Sequence, residues 1–336
     1  MQRSSGRPGR RSVRAATLAV SAVLLAPVVG CASGPHDASG SGPIRPLARL
    51  NSSGARASAS PTSTPRPSPR PTPPPAQLPL GGREIFPRYR VVAYYGGDGG
   101  PGLGVLGAGT PDEAAAGVAR QAQLFATPVR PVQPALELIA TVALPSPGPD
   151  GTYSSHGNPA SVQRYLDAAR RHHELLVLDF QPGQGDFLSE IQRFGHFITQ
   201  PDVGVAVDPE WHMQPGQVPG TVYGASTAAS INAVSSYLAG IVVRYRLPQK
   251  LFVIHQFRPS VLPDRQNIVA RPGLATVFHA DGNGSPYDKV KVYDLLAFPP
   301  APFYRGFKLF FTRDTPLMTP QQTLALQPAP DLVTYQ

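Results

Sequence analysis

The chain has 336 residues, 41% of them hydrophobic and only 15% charged, with a formal net charge of +9. The charge is local: Arg3, Arg7, Arg10, Arg11, Arg14, Arg45, Arg49, Arg56, Arg66 and Arg70 precede residue 83 with Asp37 as the sole acid, so residues 83–336 are neutral. This argues against a nucleic-acid partner, which would call for positive charge concentrated on a folded face.

Residues 1–30 read as an export signal. An arginine-rich start leads into the apolar run Ala15–Val29, broken only by Thr17, Ser21 and Pro27. The run is too short to span a bilayer, which takes about 20 apolar residues, and its flanks are those of a signal peptide. It ends Val28-Val29-Gly30-Cys31. Small residues before a cysteine suit a signal peptidase, and the thiol can accept a diacylglyceryl group, so Cys31 is the expected lipidation site. Cys31 is the only cysteine, so no intramolecular disulfide is available at an oxidising destination. The expected location is extracytoplasmic, with the membrane as partner through the lipid. Arg10-Arg11 hints at twin-arginine export, but Ser12-Val13-Arg14 fits that pattern poorly, and the general route is expected.

Residues 31–82 are rich in Ser, Gly, Ala and Pro, and proline recurs almost every second residue from Pro61 to Pro79. Such a segment buries too little apolar surface to fold and favours an extended polyproline II spacer of about 3.1 Å per residue. A disordered stalk anchored at Cys31 is expected.

Residues 83–336 match the roughly 250 residues of a (β/α)8 barrel. Apolar runs at Val91–Tyr95, Ala135–Ala143, Leu175–Phe180, Val203–Val207, Leu251–Phe257, Leu274–Phe278, Gly306–Phe311 and Leu332–Tyr335 predict eight strands. They are continuous and rich in β-branched residues, as in parallel strands buried on both faces. Helices are expected at 111–126, 161–173, 187–198, 226–245, 262–270, 287–297 and 319–326. Thr110-Pro111-Asp112-Glu113 is a capping box with proline at the first helical position, and Asn158-Pro159 and Thr319-Pro320 begin helices in the same way. The fold class is therefore α/β, a TIM-like barrel lacking its last helix, with a doubly wound open sheet as the alternative.

Two motifs lead elsewhere. Gly102-Leu103-Gly104-Val105-Leu106-Gly107 has the dinucleotide form GxGxxG, but an inserted loop separates it from its strand and the helix begins only beyond it. A loop over the barrel mouth is expected, with no cofactor. Asp281-Gly282-Asn283-Gly284-Ser285 begins like a calcium loop but has Pro286 where the sharp-turn glycine belongs, so a plain turn is expected.

Active sites of this fold lie at the C-terminal ends of the strands, so polar residues there are the candidates. They are Glu137, Asp179, Gln181, Asp208, Glu210, Trp211, His255, His279, Asp281, Lys308 and Tyr335. Burying a carboxylate without a partner is costly, so their convergence suggests a site. The fourth strand, Val203 to Trp211, is the most informative. Period-two alternation directs Val203, Val205 and Val207 to the helices and Gly204, Ala206, Asp208 and Glu210 inward. Pro209 ends the pairing and leaves both acids at the mouth. Their carboxyls are close enough to couple, which raises one pKa and makes a general acid. Trp211 offers a flat face on which a sugar ring can stack.

An Asp-x-Glu ending the fourth strand resembles the catalytic strand of family 18 chitinases and of family 25 lysozymes. The family 18 pattern Asp-Gly-x-Asp-x-Asp-x-Glu, laid on Val203 to Glu210, matches at Gly204, Asp208 and Glu210 and departs at Val203 and Ala206. The resemblance implies that Glu210 protonates the glycosidic oxygen while Asp208 holds an acetamido group that acts as internal nucleophile. Pro134 to Ala140, Asp208-Pro209-Glu210-Trp211, Leu247 to Lys250 and His255 to Ser260 resemble segments of uncharacterised actinobacterial envelope lipoproteins. Three functions remain open: a hydrolase of N-acetylated cell-wall glycan, a non-catalytic glycan- or surface-binding lipoprotein, and a metal-dependent hydrolase using His255 and His279. The first leads, with no metal assigned.

Overall fold

The computed structural model describes residues 74–296 and 301–336. The signal segment, Cys31 and the stalk up to residue 73 lie outside the described residues. The strands are β1 (Arg90–Gly96), β2 (Val132–Ala143), β3 (Ser154–His156), β4 (Leu175–Phe180), β5 (Val203–Val207), β6 (Lys250–Gln256), β7 (Leu274–Ala280), β8 (Tyr304–Leu309) and β9 (Leu332–Tyr335). All but β3 are parallel, and β1 pairs with both β2 and β9, which closes an eight-stranded barrel. The unpredicted β3 folds back antiparallel on the end of β2. Among the described residues no helix follows β9.

The α-helices are α1 (Pro111–Gln123), α2 (Pro159–Arg171), α3 (Phe187–Arg193), α4 (Gly195–Ile198), α5 (Ala228–Tyr245), α6 (Pro286–Leu296) and α7 (Pro320–Leu324). Thr110 and Thr319 form complete capping boxes, and the Asn158 side chain accepts from Ala160 N. Each expected signal therefore satisfies otherwise orphaned N–H groups. The expected helix 187–198 divides at Phe194. The expected helix 262–270 is absent: only a 3₁₀ turn forms at Arg265–Asn267. Pro263 lacks a helical donor and Pro272 closes the segment, leaving too short a run to nucleate a helix. The chain still buries Leu262 and Ile268 there.

Alternation along each strand separates two cores. Val203, Val205, Val207, Phe252 and Ile254 face the helices in the outer core. Val91, Ala93, Ala135, Leu175, Val177, Ala206, Leu251, Val253, Ala275, Val277 and Leu332 fill the lower interior. Leu78, Ile85, Phe86 and Tyr89 join this inner core and plug the barrel at the N-terminal ends of the strands. The folded unit thus begins before residue 83. The apolar pair Leu78 and Leu80 breaks the stalk composition, and Leu78 is buried. Gln249 fixes the plug by accepting from Ile85 N (2.7 Å) and Phe86 N (3.1 Å). Among the described residues no helix is long and apolar enough to cross a membrane.

Candidate functional site at the barrel mouth

The inward face changes character along every strand. Above the apolar layer, β1 contributes Tyr95, β2 Glu137, β4 Asp179 and β6 His255. His279 comes from β7, Lys308 from β8 and Thr334 from β9, all buried. Gln181, Asp208 and Asp281 follow directly on β4, β5 and β7 and are buried with them.

His255 is the hub. Its Nε2 lies 2.9 Å from Glu137 Oε1 and its Nδ1 3.1 Å from Asp281 Oδ2. Two carboxylate acceptors require a donor on each ring nitrogen, which only the imidazolium supplies. Burial opposes that charge, but the bonds to Asp281 and Glu137 outweigh it and hold the His255 pKa well above the ordinary value. Burial likewise works to raise Asp281, and the His255 contact overcomes it, so its pKa is lowered. Glu137 continues the chain: its Oε2 accepts from Thr334 Oγ1 at 3.2 Å. Thr334 has then given its only proton, so it accepts from His279 Nε2 at 3.0 Å. His279 is the neutral partner, its pKa lowered far below the ordinary value by burial and then by the nearby His255 cation. Gly306 on β8 makes room for it, since a Cβ there would fall 2.3 Å from His279 Cδ2.

A second chain leads outward to the paired acids. Tyr95 Oη donates to Asp179 Oδ2 at 2.9 Å. Gln181 Nε2 lies 3.3 Å from Tyr95 Oη and 3.2 Å from Asp208 Oδ2. Lys308 Nζ sits 3.5 Å from the Tyr95 ring centroid and 3.9 Å from Asp281 Oδ2. Carboxylate oxygens of Asp208, Glu210 and Asp281 lie within 4.8 Å of one another. Carboxylates that share a site disfavour one another's ionisation. Burial and then the Asp208 charge raise the Glu210 pKa well above its ordinary value. Asp208 is raised, chiefly by burial, while the nearby His255 cation works against the rise. Asp179 is pushed up to about 7 by burial and then by Asp208. Charge balance agrees: with all five acids ionised, the cluster would set five anions against two cations, His255 and Lys308, in a dry interior, where unpaired charge is costly.

The backbone corrects the expected route to this pairing. β5 stops at Val207, and Pro209–Trp211 form a 3₁₀ turn, so Glu210 is not on the inward face of a strand. The turn is closed by Trp211 N to Asp208 O at 3.0 Å and Gly224 N to Glu210 O at 2.7 Å. Glu210 and Trp211 are half-buried, nearer the surface than Asp208.

Tyr335 does not belong to the mouth. Period two directs Thr334 inward and Tyr335 outward, where its ring stacks on Phe311 at 5.0 Å and meets Phe125 at 6.2 Å. Thr334 and Tyr95 are the site residues the sequence reasoning missed. The alternation Val91, Ala93, Tyr95 carried the signal for the second, and Leu332, Thr334 for the first. The glycine motif forms two 3₁₀ turns before α1. Gly104 lets the loop press against β1, since a Cβ there would lie 2.3 Å from the Tyr95 carbonyl oxygen. The Asp281 segment turns into α6, and Gly284 N donates to Asp314 Oδ1 at 3.0 Å.

Donor atoms of His255, His279 and Asp281 lie within 4.8 Å of one another, as do those of Asp208, Glu210 and Asp281. With both nitrogens of His255 on carboxylates, the first group has no lone pair there for a metal. No protein-family model matches the chain, and no curated protein matches it.

Proposed function

We propose that the barrel is a glycoside hydrolase acting on N-acetylated envelope glycan, held at the membrane through Cys31. One observation carries the catalytic reading: a half-buried Glu210 at the barrel mouth with carboxylate oxygens of Asp208 and Asp281 within 4.8 Å, where burial and the Asp208 charge raise its pKa. A glycosidic oxygen needs such a donor to leave. Asp208 holds the substrate's acetamido group as its oxygen attacks the anomeric carbon, while the glycosidic C–O bond breaks and the leaving oxygen takes the Glu210 proton. Asp179 is a positioning residue. It is the register neighbour of Ala206, so it brings a carboxyl beside the position where the chitinase pattern has its own aspartate. Through Tyr95 and Gln181 it is linked to Asp208.

The test is reducing-end release from N-acetylated polymer by wild type and Glu210→Gln. Glutamine keeps shape and hydrogen bonding but has no transferable proton. A loss of about 10²–10⁴-fold is expected, with ligand affinity retained. Equal activity in both proteins would remove Glu210 from the mechanism. The anchor is tested separately: Cys31→Ser should abolish incorporation of labelled fatty acid, because serine lacks the thiol that accepts the lipid.

A further inference from the structure

Beside the acid pair is an aromatic surface that the hydrolytic chemistry does not use. Tyr223 is 45% exposed. Its ring centroid is 4.8 Å from that of half-buried Phe257, tilted by 54°. The guanidinium of exposed Arg258 lies over both rings, 4.6 Å from the Tyr223 centroid and 5.1 Å from the Phe257 centroid. Two ties place this group at Glu210. Val207 of β5 pairs with Ile254 of β6, so the segments that hold Glu210 and Phe257 leave neighbouring strands at the same end of the barrel. Gly224, next to Tyr223, donates its N–H to the Glu210 carbonyl at 2.7 Å.

Exposed rings normally cost solvation, and a cation over a ring face is held by the quadrupole. Here the rings hold the Arg258 side chain, whose N–H edges are suited to bidentate carboxylate binding. No carboxylate of the described residues reaches Arg258; its contacts are the two rings. The cation also stands out by position, on the rim of a mouth whose interior carries five acids. A neutral sugar would need the rings and not the guanidinium.

We propose that Tyr223, Phe257 and Arg258 form a subsite for a sugar unit bearing a free carboxylate, stacked on the rings and paired with the guanidinium. This rests on the hydrolase reading of Glu210 and narrows its substrate to acidic glycan. Tyr223 and Arg258 are specificity residues and take no part in proton transfer.

The experiment is calorimetric titration of the full chain carrying Glu210→Gln, so that ligand stays intact. Two ligands are compared: an N-acetylhexosamine oligosaccharide with an ether-linked carboxylic acid on alternate units, and its neutral methyl ester. The acid should bind about tenfold more tightly or better, with a gap that shrinks in salt. Arg258→Gln should close the gap between the acid and the ester. Tyr223→Ala should weaken both ligands about fivefold or more. Equal binding of acid and ester, a gap that survives Arg258→Gln, or no binding of either ligand would overturn the subsite. Turnover of the wild type separates the two readings. A gap that depends on Arg258 without turnover keeps the subsite and removes the hydrolase. Turnover that depends on Glu210 with a gap untouched by Arg258→Gln does the reverse.

Discussion

The lower barrel interior holds Leu175, Val177, Ala206, Leu251, Val253 and Val277 around the Phe86 plug. One layer higher, the same strands and their immediate extensions hold Asp179, Asp208, His255, His279 and Asp281. Backbone pairing and inward alternation continue from one layer to the next, and only the side chains change. The lower layer gains free energy from apolar burial, at about 25 cal/mol per Å². The upper layer gives that up, and each of its charges depends on a specific partner. What the comparison teaches is that stability and reactivity are divided along the strand direction.

This division can be broken from either side. Phe86→Ala should cost about 3–5 kcal/mol, measured by denaturant unfolding, with little change between pH 5 and pH 8 because only packing is lost. His255→Leu should also cost about 3–5 kcal/mol at neutral pH, since it strands Glu137 and Asp281 without their cation. Its cost should shrink in acid, where stranded carboxyls can take up protons. Equal pH dependence in the two variants would dissolve the distinction between the layers.

Asp179→Asn sharpens it. A carboxyl whose folded pKa is raised holds its proton in the fold at pH values where the unfolded chain has lost it. Its contribution is therefore present in acid and is lost as pH rises from the ordinary value of 3.8 to about 7. His255 acts in the same direction: its raised pKa stabilises the fold below the ordinary value near 6.5 and that gain is lost as pH rises through the folded value. Wild-type stability should thus fall with rising pH across this window, and Asp179→Asn should flatten part of the slope, by an amount on the order of a few kcal/mol. Thermal unfolding at stepped pH measures it. Gly306→Ala should cost about 1–3 kcal/mol by forcing a methyl against His279. Thr334→Val, which leaves buried Glu137 Oε2 and His279 Nε2 without their shared partner, should cost about 1–3 kcal/mol.

The apolar scaffold around the barrel is more legible in the sequence than the polar layer. Val203, Val205 and Val207 announced both the strand and its outward face, and Asn158, Thr110 and Thr319 announced their helices. The upper layer was legible as a set of polar residues on apolar strands but not as a circuit. Which nitrogen of His255 meets which carboxylate depends on strands 118 residues apart in sequence, and no local pattern encodes that. Tyr335 was misassigned because residue type outweighed alternation, and Glu210 reached Asp208 by a 3₁₀ turn that Pro209 starts. The helix expected at 262–270 failed because apolar spacing there serves two buried anchors, Leu262 and Ile268, without a helix between them.

The central claim is that burial and the neighbouring Asp208 charge together raise the Glu210 pKa. Its carboxyl should be titrated directly, by isotope-edited infrared or carbon-detected NMR, in wild type and in Asp208→Asn. The predicted result is a Glu210 pKa well above the ordinary carboxylate range in wild type and clearly lower in Asp208→Asn, where a like charge has been removed. A Glu210 that titrates in the ordinary range, or one whose raised pKa ignores the loss of Asp208, would contradict it.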